Sequence, residues 1–264
     1  MSLPAGWRPR LVALDIDGTV LDHDGDLPAE VPEAIAAVVA AGVPVVLSTG
    51  RSWHGVRPLV AALELPPGWA VASNGAVVVS YPPEEIVRAV TFDPRRVIER
   101  VGVLAPEALI AVEEIGVGYR ISGTFPDGDL TGQMIVEGPE QLSARPVTRV
   151  IVRDPQRSDA EFIELAEQLG LHGVAYYVGW SAWLDIAPSG VTKASGLEDV
   201  VAALHLTAAD VLAVGDGRND LEMLQWAGRG VAMGQAPAEV VAAADDVTGS
   251  IDDGGLVQEL SRWF

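Results

Sequence analysis

Two aspartates one residue apart follow the first apolar run of the chain. Leu11 to Leu14 lead directly into Asp15 and Asp17, and Gly18 then ends the extended run. Side chains two positions apart on a strand point the same way, so both carboxylates can approach one ligand or one cation. Two carboxylates this close are unfavourable without a counterion. The spacing therefore indicates a ligand or cation site, with an Asx turn that closes a strand as the structural alternative.

A second apolar run ends in the same way near the other end of the chain. Val211 to Val214 are followed by a glycine and then by Asp216. Asp15, a backbone carbonyl near Asp17, and Asp216 offer hard oxygen ligands, which suit Mg²⁺. Two strands that are far apart in sequence and both tipped by carboxylates therefore predict one shared cation.

A hydroxyl-rich turn follows a further apolar run, at Ser48, Thr49, Gly50 and Arg51. A hydroxyl and free backbone amides at a helix entrance are suited to holding an anion. The structural alternative is that Ser48 or Thr49 is an ordinary N-cap of the helix expected through about Leu63.

Lys193 is the only lysine in the sequence, whereas all the other basic residues are arginines. Lysine supplies a compact, strongly hydrated point charge that a wide guanidinium does not. A chance surface position is the alternative, but a cation is disfavoured at the helix start predicted there. We therefore expect Lys193 to balance clustered carboxylates.

Around these residues, short apolar runs alternate along the chain with helical patterns. This alternation predicts a doubly wound, parallel α/β sheet that positions them. Residues 1–82 and 187–264 are expected to form this Rossmann-like core. Within it, Asn74-Gly75 has the pattern of a two-residue hairpin turn, and a helix is expected to begin at Pro28.

The middle of the chain, residues 83–186, is predicted to be an inserted α+β domain with an open sheet. Two helix-then-hairpin units indicate this, and the second contains a helix predicted over Ser158 to Leu169. Between the units, Ser122 to Arg145 is rich in Gly, Pro and Asp, which favours a loop-rich segment.

Composition narrows the class of protein. The hydrophobic fraction of 49% with 20% charged residues is typical of a folded globular chain. A formal net charge of −20 disfavours nucleic acid and anionic membrane surfaces as partners. The absence of cysteine excludes disulfides and thiolate chemistry. We expect a cytoplasmic protein that binds no nucleic acid or membrane and is a monomer or a weak homo-oligomer.

In this combination the chain resembles the haloacid dehalogenase superfamily of phosphatases, and more narrowly its Cof-type (subfamily IIB) sugar-phosphatase branch. The resemblance rests on four ordered motifs: D-x-D-G-T from Asp15, Thr-Gly-Arg from Thr49, Lys193, and G-D-x-x-N-D from Gly215 to Asp220. It implies an α/β core with an inserted cap domain for substrate specificity.

The resemblance also implies roles for the motif residues. Asp15 is expected to be the nucleophile that forms an aspartyl phosphate, and Asp17 the general acid and then base. The phosphate-binding residues implied are Gly18, Thr49, Gly50, Arg51, Lys193 and Asn219. The metal residues implied for Mg²⁺ are Asp15, Asp17 through its carbonyl, Asp216 and Asp220. Asp220 is expected to support the direct ligands from behind or to pair with Lys193. The expected substrate is a small phosphorylated metabolite, such as a sugar phosphate.

Two other functions fit the same pattern. A phosphosugar mutase of the same fold, similar to phosphomannomutase, would release an isomer instead of phosphate. A non-catalytic phosphoacceptor or metal-dependent switch would need neither Asp17 nor a cap. The sequence also departs from the Cof pattern, because Lys193 is followed by Ala194-Ser195-Gly196 where the family more often has an immediate glycine. The helix start is therefore expected to be shaped differently.

The sequence of the inserted segment does not identify a particular ligand. Its aromatic residues could stack on a sugar, although packing is the commoner role of aromatic residues at strand spacing: Tyr176, Tyr177, Trp180 and Trp183. Arg120 could meet a second anionic group, with a solvated surface arginine as the alternative. Asp185 resembles a residue of the strand that returns from cap to core, which implies a place near the substrate entrance.

Overall fold

The structure is a computed structural model. It describes residues 4–154, 158, 161, 164, 165, 168, 169, 174–179 and 183–264. The helix predicted over Ser158 to Leu169 lies largely outside the described residues.

The strands of the described part form two sheets. In chain order they are β1 (Leu11–Leu14), β2 (Val45–Ser48), β3 (Gly68–Ala72), β4 (Val77–Tyr81), β5 (Glu85–Ala89), β6 (Leu109–Glu114), β7 (Gly118–Ile121), β8 (Gln133–Val136), β9 (Val150–Arg153), β10 (Val174–Gly179), β11 (Trp183–Pro188), β12 (Val211–Gly215), β13 (Arg229–Ala232) and β14 (Asp246–Val247).

Helices connect most of the core strands. The α-helices given for the described residues are α1 (Val31–Ala40), α2 (Trp53–Ala62), α3 (Arg95–Leu104), α4 (Pro139–Leu142), α5 (Lys193–Ala203), α6 (Leu221–Trp226), α7 (Ala238–Ala243) and α8 (Gly255–Leu260). Short 3-10 turns lie at Ser73–Gly75, Ala208–Asp210 and Arg218–Asp220.

The larger sheet has eight strands in the order β14-β13-β12-β1-β2-β3-β4-β5. Strands β14 to β3 pair in parallel, as a doubly wound α/β fold requires, and β4 and β5 add an antiparallel extension. The chain winds outward from β1 in one direction and later from β12 in the other. The point where the strand order reverses therefore lies between β1 and β12, where ligands bind in open sheets of this kind.

Both faces of the larger sheet are covered, and β1 shows why. Its four residues are fully buried and alternate between two apolar clusters. Val12 and Leu14 pack with α1, α2 and α8, whereas Leu11 and Ala13 pack with α5, α6 and α7. A strand buried on both faces is apolar along its whole length, and the first polar residue therefore comes where the strand ends.

The smaller sheet has six strands in the order β10-β11-β9-β6-β7-β8. All its pairs are antiparallel except β7 with β8. Side chains of α3 and Leu142 of α4 pack with this sheet in an apolar cluster of their own. The inserted α+β unit with an open sheet is therefore present. The segment from Ser122 to Arg145 is mostly loop, as predicted, and also contains the short elements β8 and α4.

The boundaries predicted between core and insert were displaced. Strand β5 pairs with β4, so the larger sheet continues beyond residue 82 to Ala89. Strand β11 continues to Pro188, which pairs with Val174 of β10, so the smaller sheet extends past residue 186. Pro82 and Pro83 lie in the connection between two paired strands and do not end the sheet.

Two local predictions also needed correction. The β3–β4 hairpin is present, but Ala72 pairs with Val77, so its loop contains Ser73 to Ala76 instead of two residues. Helix α1 begins at Val31 and not at Pro28, with a proline in its first turn, where a missing N–H costs nothing. No helix within the described residues combines the length and hydropathy needed to cross a membrane.

Candidate active site

Asp15 lies directly beyond β1, at the point where the strand order reverses. Its N–H donates to the carbonyl of Val214 in β12 at 3.0 Å, which extends the parallel pairing by one residue. The residue is 4% exposed. Its Oδ1 accepts a hydrogen bond from Lys193 Nζ at 2.5 Å. The carboxylate is thus held in the interior by a cation that comes from the other half of the chain.

Lys193 is the first residue of α5 and is completely buried. Its Nζ also donates to Asp220 Oδ1 at 2.6 Å, so the ammonium joins two carboxylates. Burial acts to lower the pKa of Lys193, but the charges of Asp15 and Asp220 outweigh burial and hold the pKa above its ordinary value. An ammonium with two carboxylate partners therefore stays charged.

The helix start that carries Lys193 is regular despite its departure from the Cof pattern. Thr192 and Ser195 form a capping box, in which each side chain accepts from the other's backbone N–H, at 3.2 and 3.0 Å. The glycine comes later, at Gly196, where a Cβ would lie 2.5 Å from Val71 Cγ1. The displaced glycine therefore allows the helix to pack closely on β3, and the capping box fixes the helix start.

Asp216 and Asp220 lie in the turn after β12. Asp220 Oδ2 accepts from the N–H groups of Asp216 at 3.1 Å and Gly217 at 2.9 Å, so this carboxylate closes the turn as well as pairing with Lys193. Gly215 permits this, because a Cβ there would lie 2.4 Å from Asp220 Cγ.

Gln235 links the two acidic loops and was not predicted. Its Nε2 donates to the carbonyl of Gly18 at 2.6 Å and to Asp216 Oδ2 at 3.3 Å. Gly18 has a φ of +80°, and a Cβ there would lie 2.3 Å from Asp216 Oδ2. The two loops thus approach at a distance that only glycine allows at position 18. No motif in the sequence marks Gln235.

Three of these carboxylates form a group that fits a divalent cation. Ligand oxygens of Asp15, Asp216 and Asp220 lie within 4.8 Å of one another. Burial, followed by the charge of Asp220, raises the pKa of Asp15 well above its ordinary value and that of Asp216 to about 6. The single positive charge of Lys193 therefore does not balance the negative charges of three carboxylates. A hard cation such as Mg²⁺ would complete the balance of charge with the oxygen ligands it prefers.

The side chain of Asp17 lies outside that group, and its carboxylate pairs with Arg51. Arg51 Nε donates to both carboxylate oxygens, at 3.1 and 3.0 Å. The Asp17 side chain is 58% exposed. Burial acts to lower the pKa of Arg51, but its hydrogen bond to Asp17 raises the pKa overall. Arg51, which was expected to bind phosphate, thus pairs instead with Asp17, the residue expected to be the general acid. This pair lies at the open side of the site.

Thr49 and Gly50 follow β2 and are held by neighbouring turns. Thr49 is buried, and its Oγ1 accepts from the N–H of Arg51 at 3.1 Å. The N-cap of α2 is Ser52, so the alternative reading of Ser48 or Thr49 as N-cap was wrong. At Gly50, a Cβ would lie 3.1 Å from Asn74 Oδ1. The loop therefore passes close to the β3–β4 turn.

Asn219 contacts a residue that the sequence marked only as a turn former. Its Nδ2 donates to Asn74 Oδ1 at 2.9 Å, and Asn74 Nδ2 donates in turn to Asp185 Oδ2 at 3.3 Å. This chain of amides connects the turn after β12 with the smaller sheet. Asp185 thus lies beside the site, at the edge where the resemblance implied a substrate entrance.

Asp185 belongs to a buried polar cluster on the smaller sheet. Arg149 donates to both of its carboxylate oxygens, from Nε and from Nη2, the latter at 2.5 Å, and Arg149 Nη1 lies 3.3 Å from Tyr119 Oη. Burial alone would lower the pKa of Arg149, whereas Asp185 raises it above its ordinary value. Glu113 lies in the same cluster, and burial raises its pKa. Its Oε1 has no hydrogen-bond partner among the described residues.

The remaining predictions for the insert have mixed outcomes. Arg120 is 5% exposed and pairs with Glu114 and Glu137, so neither a solvated side chain nor a free anion site is present there. Trp183 packs against an apolar cluster of the smaller sheet. The side chains of Tyr176, Tyr177 and Trp180 lie outside the described residues.

Fold and site together define a class of protein: an α/β enzyme with an acidic, lysine-containing centre at the switch point of its sheet and a second domain beside it. A family model for haloacid dehalogenase-like hydrolases matches residues 12–260. The chain is 28% identical over 268 residues to the protein named pyridoxal phosphate phosphatase YbhA of Escherichia coli (strain K12). The alignment covers 94% of this chain and 96% of that protein.

Solved structures share the fold. A haloacid dehalogenase-like hydrolase from Bacteroides thetaiotaomicron superposes with a TM-score of 0.83 at 24% identity, covering 97% of this chain and 100% of that chain. A structure described as a subclass IIB sugar phosphatase gives a TM-score of 0.81 at 22% identity, covering 96% and 98%. The chain belongs to the haloacid dehalogenase-like hydrolases. It is a phosphatase of that family, and its substrates are small phosphorylated molecules.

Proposed function

We propose that this phosphatase hydrolyses sugar phosphates or similar small phosphomonoesters with Mg²⁺, through an aspartyl phosphate on Asp15. The observation that carries the proposal is the convergence of Asp15, Asp216 and Asp220 around the buried ammonium of Lys193. Carboxylates from both halves of the chain meet there at a density that needs further positive charge. A cation and an incoming phosphoryl group together fit such a centre.

In the first step, Asp15 attacks phosphorus. A bond forms between its carboxylate oxygen and phosphorus, and the bond from phosphorus to the leaving oxygen breaks. Asp17, which must carry the proton in this step, gives it to that oxygen, and its exposed side chain lies at the open side, where a leaving alcohol departs. In the second step, Asp17 takes a proton from water, which attacks phosphorus and frees Asp15.

The phosphate is held by groups that follow β2 and β12, the two neighbours of β1, and by the lysine that binds Asp15. We assign this role to the Thr49 hydroxyl, the Lys193 ammonium and the Asn219 amide. Mg²⁺, held by Asp15 and Asp216 with the backbone carbonyl of Asp17, would neutralise charge on the transferring group. Asp220 acts one layer further out, because it orients Lys193 and closes the Asp216 turn.

The remaining expectations become part of the proposal. The insert that begins after the larger sheet and ends with β11 would act as the cap that selects the substrate, since Asp185 and Arg149 lie beside the Asn219 amide chain. We propose a cytoplasmic location because the sequence contains no cysteine. We also propose that the protein is a monomer or a weak homo-oligomer.

A phosphate-release assay tests the proposal. The full chain with MgCl₂ is offered a panel of sugar phosphates, nucleotides, cofactor phosphates and p-nitrophenyl phosphate. We expect release from sugar phosphates, and we expect Asp15→Asn to abolish release from every compound. Asp24→Asn is the matched control, because Asp24 is exposed in the loop after the site, and it should retain full activity. Activity of Asp15→Asn above a few per cent, or an isomer in place of free phosphate, would contradict the proposal.

A further inference from the structure

The turn between β3 and β4 has an unusual backbone. Ser73, Asn74 and Gly75 have φ values of 51°, 54° and 95°, so three consecutive residues lie in the left-handed region. All three are buried. Among the described residues, the other non-glycine positions with positive φ are Glu64 and His205, and both are exposed at helix ends. A strained, buried turn persists only where its surroundings hold it, and such strain clusters at functional sites.

The surroundings of this turn are the phosphate-binding loops themselves. The N–H of Ser73 donates to the carbonyl of Arg51 at 2.8 Å, and the N–H of Asn74 donates to that of Thr49 at 3.0 Å. Gly75 lies against the start of α5, where a Cβ would come within 1.9 Å of the carbonyl oxygen of Thr192. The backbone of the turn is therefore fixed by the loop after β2 and by the residue before the lysine.

The side chains of the turn reach the smaller sheet. Ser73 Oγ donates to Glu113 Oε2 at 2.6 Å. The Asn74 amide uses both ends: its oxygen accepts from Asn219, and its nitrogen donates to Asp185. Asn74 is 2% exposed, so these partners are not replaced by solvent. The Asn74 amide thus joins Asn219, a proposed phosphate-binding residue, to the insert.

We propose that Asn74 is a positioning residue that couples docking of the smaller sheet to the orientation of the Asn219 amide. When Asp185 is docked, it accepts from the Asn74 nitrogen, and this fixes which end of the amide faces Asn219. Asn219 then donates to the Asn74 oxygen, and its own oxygen faces away from Asn74. The phosphate-binding set is therefore complete only with the insert in place. This inference rests on the proposed function.

Asn74→Gly tests the side chain without disturbing the backbone, because glycine adopts positive φ freely. Against p-nitrophenyl phosphate, we expect kcat to fall about tenfold while KM stays within about threefold, since a hydrogen bond to a charged partner is lost. His205→Gly is the matched control: it removes an exposed side chain at positive φ and should change neither constant.

Hydrogen–deuterium exchange of the full chain supplies a readout that does not need turnover. The hairpin tip between β6 and β7 reports docking, because Ile115 packs against the core cluster of the larger sheet. In Asn74→Gly we expect exchange at residues 114–118 to rise about tenfold, with exchange in β1 and β12 unchanged. In His205→Gly both regions should match the wild type.

The outcomes separate this inference from the proposed function. Unchanged kcat and unchanged hairpin exchange in Asn74→Gly would overturn the coupling. An equal rise of exchange in the hairpin and in β1 would also overturn it, since that would show a merely structural role. A wild-type protein that releases no phosphate would refute the proposed function, whereas the exchange comparison would still decide whether Asn74 holds the insert.

Discussion

The two sheets each bury a cluster of charge, and the two clusters are built differently. At the edge of the larger sheet, the single lysine of the sequence faces three carboxylates, Asp15, Asp216 and Asp220. On the smaller sheet, Arg149 meets Asp185 through two parallel hydrogen bonds. A planar guanidinium matches a carboxylate fork and fixes it, whereas an ammonium is a point charge that several partners can share.

This difference indicates that the two clusters have different roles, one in the reaction and one in holding the insert. The lysine cluster has an excess of negative charge, and the pKa of Asp15 is raised because burial and neighbouring carboxylates oppose its ionisation. Under the proposed function, such a centre would be completed by a cation and a phosphoryl group. The Arg149–Asp185 pair is matched internally, so it needs no further ion. We infer that the first cluster performs the reaction and the second holds the insert against it.

The largest expected effect comes from removing the shared ammonium. Lys193→Met leaves Asp15 and Asp220 buried without their cation, and breaking a buried pair in this way costs about 3–5 kcal/mol of unfolding free energy. Phosphate release should fall to background in the same variant. Urea unfolding and phosphate release measure the two losses. Arg10→Met, which breaks an exposed pair with Asp210, should change stability by less than about 1 kcal/mol. Comparable stability losses in both variants would contradict this account.

Removing the guanidinium of the second cluster should separate stability from reaction. Arg149→Met leaves Asp185 buried without its partner, and we expect a loss of about 3 kcal/mol in urea unfolding. Hydrolysis of p-nitrophenyl phosphate should fall by no more than about tenfold, because none of the groups assigned to the phosphate is removed. A loss of hydrolysis as complete as that of Lys193→Met would show that both clusters belong to one catalytic unit.

A pair of glycines sharpens the comparison at the smallest scale. Gly18 and Gly25 have similar φ values, +80° and +83°, but a Cβ at Gly18 would overlap Asp216, whereas none of the described atoms lies within 4 Å of a Cβ at Gly25. Gly25→Ala should lose about 1–2 kcal/mol in urea unfolding, the cost of a left-handed non-glycine residue. Gly18→Ala should lose more than Gly25→Ala, because its Cβ also overlaps Asp216. Only Gly18→Ala should raise the MgCl₂ concentration for half-maximal activity, by about tenfold. Equal magnesium requirements would place the cation elsewhere.

The sequence predicted the part of the site that parallel strands dictate. Residues directly after buried parallel strands share one edge of the sheet, so Asp15, Thr49 and Asp216 could be brought together from the motif positions alone. The fold class followed from the same alternation of strands and helices. The lone lysine stood out by composition and lies fully buried between two carboxylates.

The contacts that the sequence did not predict depend on side chains meeting across large separations. The sequence marked Asn74 only as a turn former and gave no motif for Gln235, and the partners of both are determined by packing. Strand β5 was missed because it is mostly exposed and lacks the alternation of a half-buried strand. Strand β8, with every residue exposed, gave a similarly weak pattern inside a segment rich in turn formers.

Chemical trapping of the intermediate tests the central claim most directly. The full chain turning over p-nitrophenyl phosphate with MgCl₂ is quenched with borohydride, which reduces an acyl phosphate to an alcohol, and the peptides are analysed by mass spectrometry. We predict conversion of Asp15 to homoserine, dependent on substrate and absent from Lys193→Met. Reduction at another carboxylate, or continued turnover with Asp15 unmodified under conditions that trap acyl phosphates, would contradict the assignment of Asp15 as nucleophile.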